Sequence, residues 1–370
     1  MSKKKWYEID NIGDIISPSI LVYPERIEKN IQLLLEMVGG PEKLRPHIKT
    51  HKIAEIIQMQ IRHGIHKFKC ATIAEAELLA RCKAKDILLA MQPVGINVQR
   101  YFELIRTYPH SKFSTIVDNL ATLNNIAAAA NDLDVIADLW VDINNGMNRT
   151  GISPEKGAVS LYQLIVQNLC TNARGLHVYD GHILDTDLNI RKKTCDKDFK
   201  SVLLLKNKIE SLGMKIETIV AGGTPTFPIH LLRDNVEISP GTFVFWDEKY
   251  SINYPDLNFL QAAVIVSRIV SRPLVGHICL DLGHKSVASE MNLPRVKILG
   301  HEHFEHVSQS EEHLVLHCQK NNRIIDDELL YAVPIHICPT VSKYKEVYTV
   351  KDHKANGSWQ VTARDHKLSI

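Results

Sequence analysis

The sequence predicts an α/β fold: a (β/α)8 barrel of the TIM type with a second, mainly β-strand domain on its C-terminal side. Three observations carry this expectation. A chain of 370 residues exceeds what one ordinary core holds, so a large barrel plus a smaller domain is a natural division. From about residue 40 to about residue 245, short β-rich runs alternate with amphipathic helical patterns. Beyond Phe245 the helical periodicity fades, and short β-branched runs separated by polar turns replace it. The expected boundaries are 25–247 for the barrel, with 1–24 and 248–370 forming the β-domain. An open, doubly wound sheet is the competing arrangement, because spacing alone does not show closure.

The barrel strands are read in order as LRPHIKT (44–50), HKFKCAT (66–72), DILLAM (86–91), SKFSTIVD (111–118), IADLWVDI (136–143), ARGLHVYDG (173–181), IETIVAGG (216–223) and EISPGTFVF (237–245). Helical patterns fall between them at 73–82, 119–132, 153–168 and 196–212. Ser153-Pro154-Glu155 reads as a helix N-cap followed by proline in the first turn. In the β-domain the expected strands are LVGHICLDLG (274–283), RVKILG (295–300), EHLVLHC (312–318), ELLYAVP (328–334), KEVYTVKD (345–352) and WQVTARD (359–365). The early run PSILVYP (18–24) is expected to pair with them, and there is no internal repeat of fixed period.

Composition excludes several classes. Lys plus Arg (44) nearly balances Asp plus Glu (42), and a net charge of +2 argues against a broad nucleic-acid footprint. No run approaches the ~18 apolar residues of a membrane span. The basic start MSKKKWYEID is followed by no apolar stretch of the kind a signal peptide needs. Seven cysteines, an odd number scattered along the chain, suit reduced thiols in a cytoplasm. A cytoplasmic enzyme acting on a small molecule is the expectation, with neither nucleic acid nor membrane as partner.

On a barrel the chemistry collects at the C-terminal ends of the strands. The first strand delivers Lys49, with His51 and Lys52 in the turn after it. An amine desolvated beside other cations loses its proton more easily and can form a Schiff base, whereas a solvated basic strand end would need no such role. The fifth strand ends in DINNGMNRTG (142–151), where Arg149 projects a permanent charge from a Gly- and Asn-rich loop. The sixth ends in Tyr179, Asp180 and His182, a possible general base or simply a rim histidine. The seventh ends in Gly222, Gly223 and Thr224, a turn that could cradle a phosphate but lacks the GK[ST] of a P-loop. In the β-domain His336 and Cys338, two apart on an expected strand, face one side and could hold one divalent metal, zinc most naturally. HEHFEH (301–306) reads as an exposed histidine-rich turn, and Glu311-Glu312-His313 as exposed charge or as support for the metal pair.

RPHIKTHK, ATIAEAE, DINNGMNRTG, YDGH, GGTPT, PGTFVFWD and HICPT stand here in the order found in the D-threonine aldolase and D-serine dehydratase family, which the chain resembles from about residue 18 to about residue 364. The combination of RPHxKTHK with HxC is the specific part. The resemblance implies a pyridoxal 5'-phosphate (PLP) enzyme of the alanine-racemase-like fold, with PLP bonded to Lys49 rather than Lys52. It implies Arg149 near the PLP phenolic oxygen and the substrate carboxylate, Tyr179 beside the cofactor, and Gly222, Gly223 and Thr224 at its phosphate. It further implies His336 and Cys338 as ligands of a zinc, manganese or magnesium ion beside the substrate β-hydroxyl, and a homodimer. The resemblance implies that His182 matches the histidine that aldolase members use as a base. That match favours retro-aldol cleavage of a D-β-hydroxy amino acid to glycine and an aldehyde. Cys338 matches the dehydratases, which form an α-keto acid and ammonia, and Ile335 stands where many members carry asparagine. A racemase, a non-catalytic PLP carrier and a metal-dependent barrel hydrolase are the remaining readings.

Overall fold

The structure, a computed structural model, describes residues 4–318 and 329–370. It divides into two compact units, one of Leu34–Lys49, Ile57–Gly241 and Asp365–Ile370, the other of Met1–Leu33, Thr50–Ile56 and Thr242–Arg364. In chain order the first elements are β1 (Ser19–Val22), α1 (Pro24–Val38) and α2 (Ala54–Arg62).

The first unit is the barrel. Its strands are β2 (Lys67–Cys70), β3 (Asp86–Leu89), β4 (Lys112–Val117), β5 (Ala137–Asp142), β6 (Thr171–Val178), β7 (Thr218–Ala221) and β8 (Val236–Ile238), all parallel and paired in sequence order. The ring is closed by residues 44–47, which bridge β8 through Leu44 and Ile238 and β2 through His47 and Lys69. Arg45 N donates to Ile238 O (2.9 Å), and Lys69 N donates to Pro46 O (2.9 Å). The expected barrel therefore forms, but its first stave is not a regular strand. Pro46 has no N–H to give to a ladder, and a 3₁₀ turn, Ile48–Thr50, begins two residues later.

Local sequence explains the helices. In α3 (Ile73–Arg81) the Thr72 hydroxyl accepts from Glu75 N (3.1 Å), while the Glu75 carboxylate accepts from Ala71 N (2.7 Å). After α4 (Ile96–Thr107), α5 (Leu120–Asp132) is capped by Asn119, whose side chain accepts from Thr122 N at 2.8 Å. The cap expected at Ser153 is not formed: α6 (Ala158–Gln167) starts later, behind Gly157 in a left-handed conformation, and Ser153 only closes the preceding turn. α7 (Leu188–Ser211) begins eight residues earlier than its pattern suggests because Asp187 accepts from both Asn189 N and Ile190 N at 2.9 Å. Inside the barrel Trp140 packs with Leu88, Ile116 and Val220 and donates its indole N–H to Ser114 Oγ (3.0 Å). At the strand starts the buried Arg45 guanidinium is neutralised by Asp86 (2.6 Å) and Glu237 (2.7 Å).

The second unit is a mainly antiparallel sheet in which β1 does take part. It pairs antiparallel with β9 (Ala263–Ser271), the longest strand, and later with a parallel neighbour. The remaining strands are β10 (His277–Leu280), β11 (Val296–Ile298), β12 (Glu305–Gln309), β13 (Leu314–His317), β14 (Leu329–Pro334), β15 (Glu346–Lys351), the parallel partner of β1, and β16 (Lys354–Gln360). Their order is β12-β13-β10-β9-β1-β15-β16, with β14 joining β9 to β11. β9 is absent from the sequence-based expectation because its apolar run is nearly continuous rather than alternating. HEHFEH is a turn only as far as Phe304, and His306 lies on β12. WQVTARD is strand only to Gln360, with Thr362–Arg364 forming a 3₁₀ turn. Leu21, Val264, Val266, Tyr331, Val333 and Val350 fill this unit's core. Among the described residues no helix is long and apolar enough to cross a membrane.

Candidate active site

At the carboxyl ends of the barrel strands three cationic side chains gather on one aromatic ring. From the Tyr179 ring centroid, Lys49 Nζ is at 5.8 Å, Lys69 Nζ at 5.7 Å and the Arg149 guanidinium carbon at 5.0 Å. Lys49 comes from the 3₁₀ turn after the first stave and is half-buried. Lys52, the lesser candidate, lies in the second unit, where its ammonium donates to Ala363 O (3.5 Å).

The loop bearing Arg149 is pinned by its own asparagines. Asn144 Oδ1 accepts from Gly146 N (3.1 Å) and Asn148 N (3.0 Å), and Gly151 N donates to Asp118 (3.0 Å). Gly151, at φ +97°, would put a Cβ 2.5 Å from Asn144 N, so only glycine fits there.

Lys69 is the residue that sequence reasoning missed. It projects from β2 and is 2% exposed. Burial, with the Lys49 charge adding to it, pushes its amine down to about 7 against the opposing effect of Asp180 and Asp142. The folded pKa lies below the unfolded value near 10.5, so the folded state holds fewer protons than the unfolded one between those limits. Its penalty is therefore full below pH 7 and is relieved as pH rises from about 7 to about 10.5. Lys69→Met should flatten that rise and stabilise the cofactor-free protein at pH 6 by a few kcal/mol. Urea unfolding at pH 6 and pH 9 measures this, and equal stability of the two proteins at pH 6 would contradict a buried charge.

The glycine turn rests on a buried polar strut. Gly223 N donates to Thr226 Oγ1 (3.1 Å), Thr226 Oγ1 donates to Asp180 Oδ1 (2.9 Å), and Asp180 Oδ2 meets His230 Nε2 (2.8 Å). Thr224 Oγ1 accepts from Gly241 N (3.1 Å). A Cβ on Gly222 would come within 2.9 Å of the His230 ring, and Gly222 itself has φ +76°. Asp180 is thus a pillar under the turn rather than a residue of the mouth. Cys195 Sγ stands 3.3 Å from His230 Nε2, which completes an Asp180, Cys195 and His230 group of metal-ligand spacing. Burial, with Asp180 adding to it, pushes the Cys195 thiol up to about 12, and the Arg233 guanidinium lies 3.9 Å from the sulfur. A protonated thiol beside a guanidinium suits a hydrogen-bonded strut better than a cation.

His182 Nε2 meets Asp198 Oδ2 on α7 at 2.9 Å, while its Nδ1 is buried without a hydrogen-bond partner. Its ring fits only because position 146 is glycine, whose Cβ would lie 2.6 Å from Nε2.

In the second unit His336 and Cys338 are close, but not as expected. β14 stops at Pro334, His336 occupies the N-cap position of the short helix α8 (Ile337–Val341), and Cys338 is the second residue of that helix. The two side chains hydrogen-bond each other. Burial lowers His336, but Cys338 and Glu290 outweigh it and hold the imidazole up at about 9. Burial raises Cys338, yet His336 and the Thr50 hydroxyl (3.3 Å) hold the thiol below its ordinary range. Glu290 Oε1 lies 2.5 Å from His336 Nδ1. The candidate support at 311–313 lies elsewhere: Glu311 and Glu312 pair with Lys285 on an exposed turn. The carboxylate that does reach His336 is far from it in sequence, and no spacing signal announces it.

Both donor sets fit the groups the resemblance implies. An amine, a guanidinium and a second amine around a ring, beside a glycine turn, suit an anionic aldehyde cofactor, and an imidazole with a thiol of lowered pKa suits a borderline-soft metal.

A parallel β/α barrel with a cationic cluster at its strand ends, and a strand-built unit holding a nitrogen–sulfur pair, define a fold class that the comparisons then resolve. The chain belongs to the family of the alanine racemase N-terminal domain, whose model matches residues 22–248, and residues 262–350 match a putative serine dehydratase domain. It is 24% identical to a D-threonine aldolase of Arthrobacter sp., over 96% of this chain and 94% of that one. It is also 24% identical to a D-serine dehydratase of Dictyostelium discoideum, over 76% of each chain. The crystal structure of D-threonine aldolase from Filomicrobium marinum superposes with a TM-score of 0.89 at 24% identity, over 95% of this chain and 96% of that one. The expected family and fold are borne out.

Proposed function

We propose that the chain is a PLP- and divalent-metal-dependent lyase that cleaves D-β-hydroxy amino acids to glycine and an aldehyde. The observation that carries this reading is the convergence of Lys49, Lys69 and Arg149 on Tyr179, an anion-seeking cluster that contains a nucleophilic amine. Lys49 Nζ holds the cofactor covalently. Gly222, Gly223 and Thr224 receive its phosphate, Tyr179 borders its ring, and Arg149 binds its phenolic oxygen side and the substrate carboxylate. His336 and Cys338 are the metal ligands, zinc first, with manganese or magnesium as substitutes. When bound, PLP supplies an electron sink for the carbanion at Cα, and the metal supplies Lewis acidity toward the β-hydroxyl. His182 takes the hydroxyl proton, its ring oriented by Asp198. Relatives named as aldolases along nearly the whole chain support this reading. Seven cysteines, none of them in a disulfide among the described residues, support a cytoplasmic setting, and we read the active form as a homodimer on the resemblance alone.

Dehydration to an α-keto acid and ammonia is the second reading. The thiol donor at Cys338 favours it, as does His182, which has one nitrogen tied to Asp198 and the other buried and must move to reach a substrate proton. Product analysis decides between the two. With PLP, Zn²⁺ or Mn²⁺ and D-threonine, glycine plus acetaldehyde is the expected outcome, whereas 2-oxobutanoate plus ammonia would overturn the aldolase assignment.

A further inference from the structure

We propose that Glu290 is a positioning residue for the metal pair: its carboxylate engages His336 Nδ1 and thereby leaves Nε2 as the nitrogen that binds the ion. The inference rests on the metal reading above and deepens it.

The geometry is specific. Glu290 Oε1 and His336 Nδ1 are 2.5 Å apart, a charge-assisted contact in which the ring N–H donates to the carboxylate. An imidazole whose proton is committed to a carboxylate at one nitrogen presents its lone pair at the other, in a fixed orientation and with raised basicity. The neighbour of His336 on its N-terminal side, Ile335, has no polar group with which to steady the ring. The support therefore comes from another segment.

Glu290 is itself about half exposed, and an exposed glutamate is ordinarily a loose partner. Here its backbone is anchored. Just upstream, Val287 and Ala288 are buried, Ala288 N donates to Thr340 Oγ1 (3.0 Å), and Tyr344 OH donates to Ser286 O (2.7 Å). Thr340 Oγ1 in turn donates to His336 O (2.7 Å). One hydroxyl thus ties the segment that leads to Glu290 to the turn that carries His336, and both ends of the contact are held by the same helix. At the start of that helix Asp247 accepts from Ile337 N (3.0 Å), which fixes its first turn. A carboxylate aimed at a ring nitrogen from an anchored backbone is the arrangement that orients metal-binding histidines.

The test is Zn²⁺ affinity of the full-length, PLP-loaded protein, measured by competition with a chromogenic chelator. Glu290→Ala should bind Zn²⁺ about 10- to 100-fold more weakly. Glu290→Gln, which keeps an oxygen acceptor without the charge, should fall between it and the wild type. The cofactor absorbance and the melting temperature in excess chelator should be unchanged in both variants, which separates ring orientation from general loss of structure. Wild-type affinity in Glu290→Ala overturns the positioning role and leaves the metal pair standing. Absence of a tight site in the wild type, or its survival in Cys338→Ala, overturns the metal reading and the positioning role with it.

Discussion

Lys49→Ala protein should carry no cofactor that borohydride can fix, and its turnover of D-threonine should fall by about 10³-fold or more. The size of the effect follows from the role proposed for this amine, which is to hold the cofactor covalently. The contest is with Lys69. That amine is pushed to about 7 and is thus partly unprotonated near neutral pH, which makes it chemically competent as a nucleophile. It is, however, 2% exposed and projects from within a barrel strand, whereas Lys49 sits half-buried on the turn where the stave ends. Reduction with borohydride followed by peptide mapping separates the two. A label on Lys69 in the wild-type protein would reassign the anchor, and an unlabelled protein would remove the proposed chemistry altogether. Non-covalent PLP binding should survive in Lys49→Ala, because the Gly222–Gly223 turn and Arg149 remain.

His182→Ala should lower retro-aldol cleavage by about 10²- to 10⁴-fold, the usual worth of a general base. Any formation of 2-oxobutanoate should change far less, since loss of hydroxide does not need a base at the hydroxyl. The substitution is structurally mild: it removes one contact to Asp198 and leaves α7 and the 142–151 loop with their own hydrogen bonds. Cleavage at the wild-type rate by His182→Ala would show that the proton leaves by another route. In that case the ring serves only to pack against Gly146.

Much of the architecture is legible in local patterns because local physics generates it. Thr72 and Asn119 announce helix starts since their side chains satisfy backbone N–H groups a few residues on. Ser153 misleads for an equally local reason: Gly157 adopts a left-handed conformation and delays the helix. The HxC pair is legible as a pair, but not as a helix cap and its second residue, because the ending of β14 is decided by pairing with β11. β9 escapes notice because a strand buried on both faces loses its alternation.

By itself, then, the sequence determined the alternation that makes a barrel, the presence of a strand-rich second unit, and the identity of the lysine, arginine, glycine turn and HxC motifs, all of which are encoded within a dozen residues at a time. Only the tertiary structure decided that Lys69 stands inside the ring beside Lys49, that Asp180 is a strut beneath the glycine turn, and that Glu290 reaches His336. Each depends on which distant segments meet, since ring closure and sheet register bring charges together that the chain holds 20 to about 50 residues apart. Burial then sets the protonation state of such a group, and no local pattern of residues carries that information.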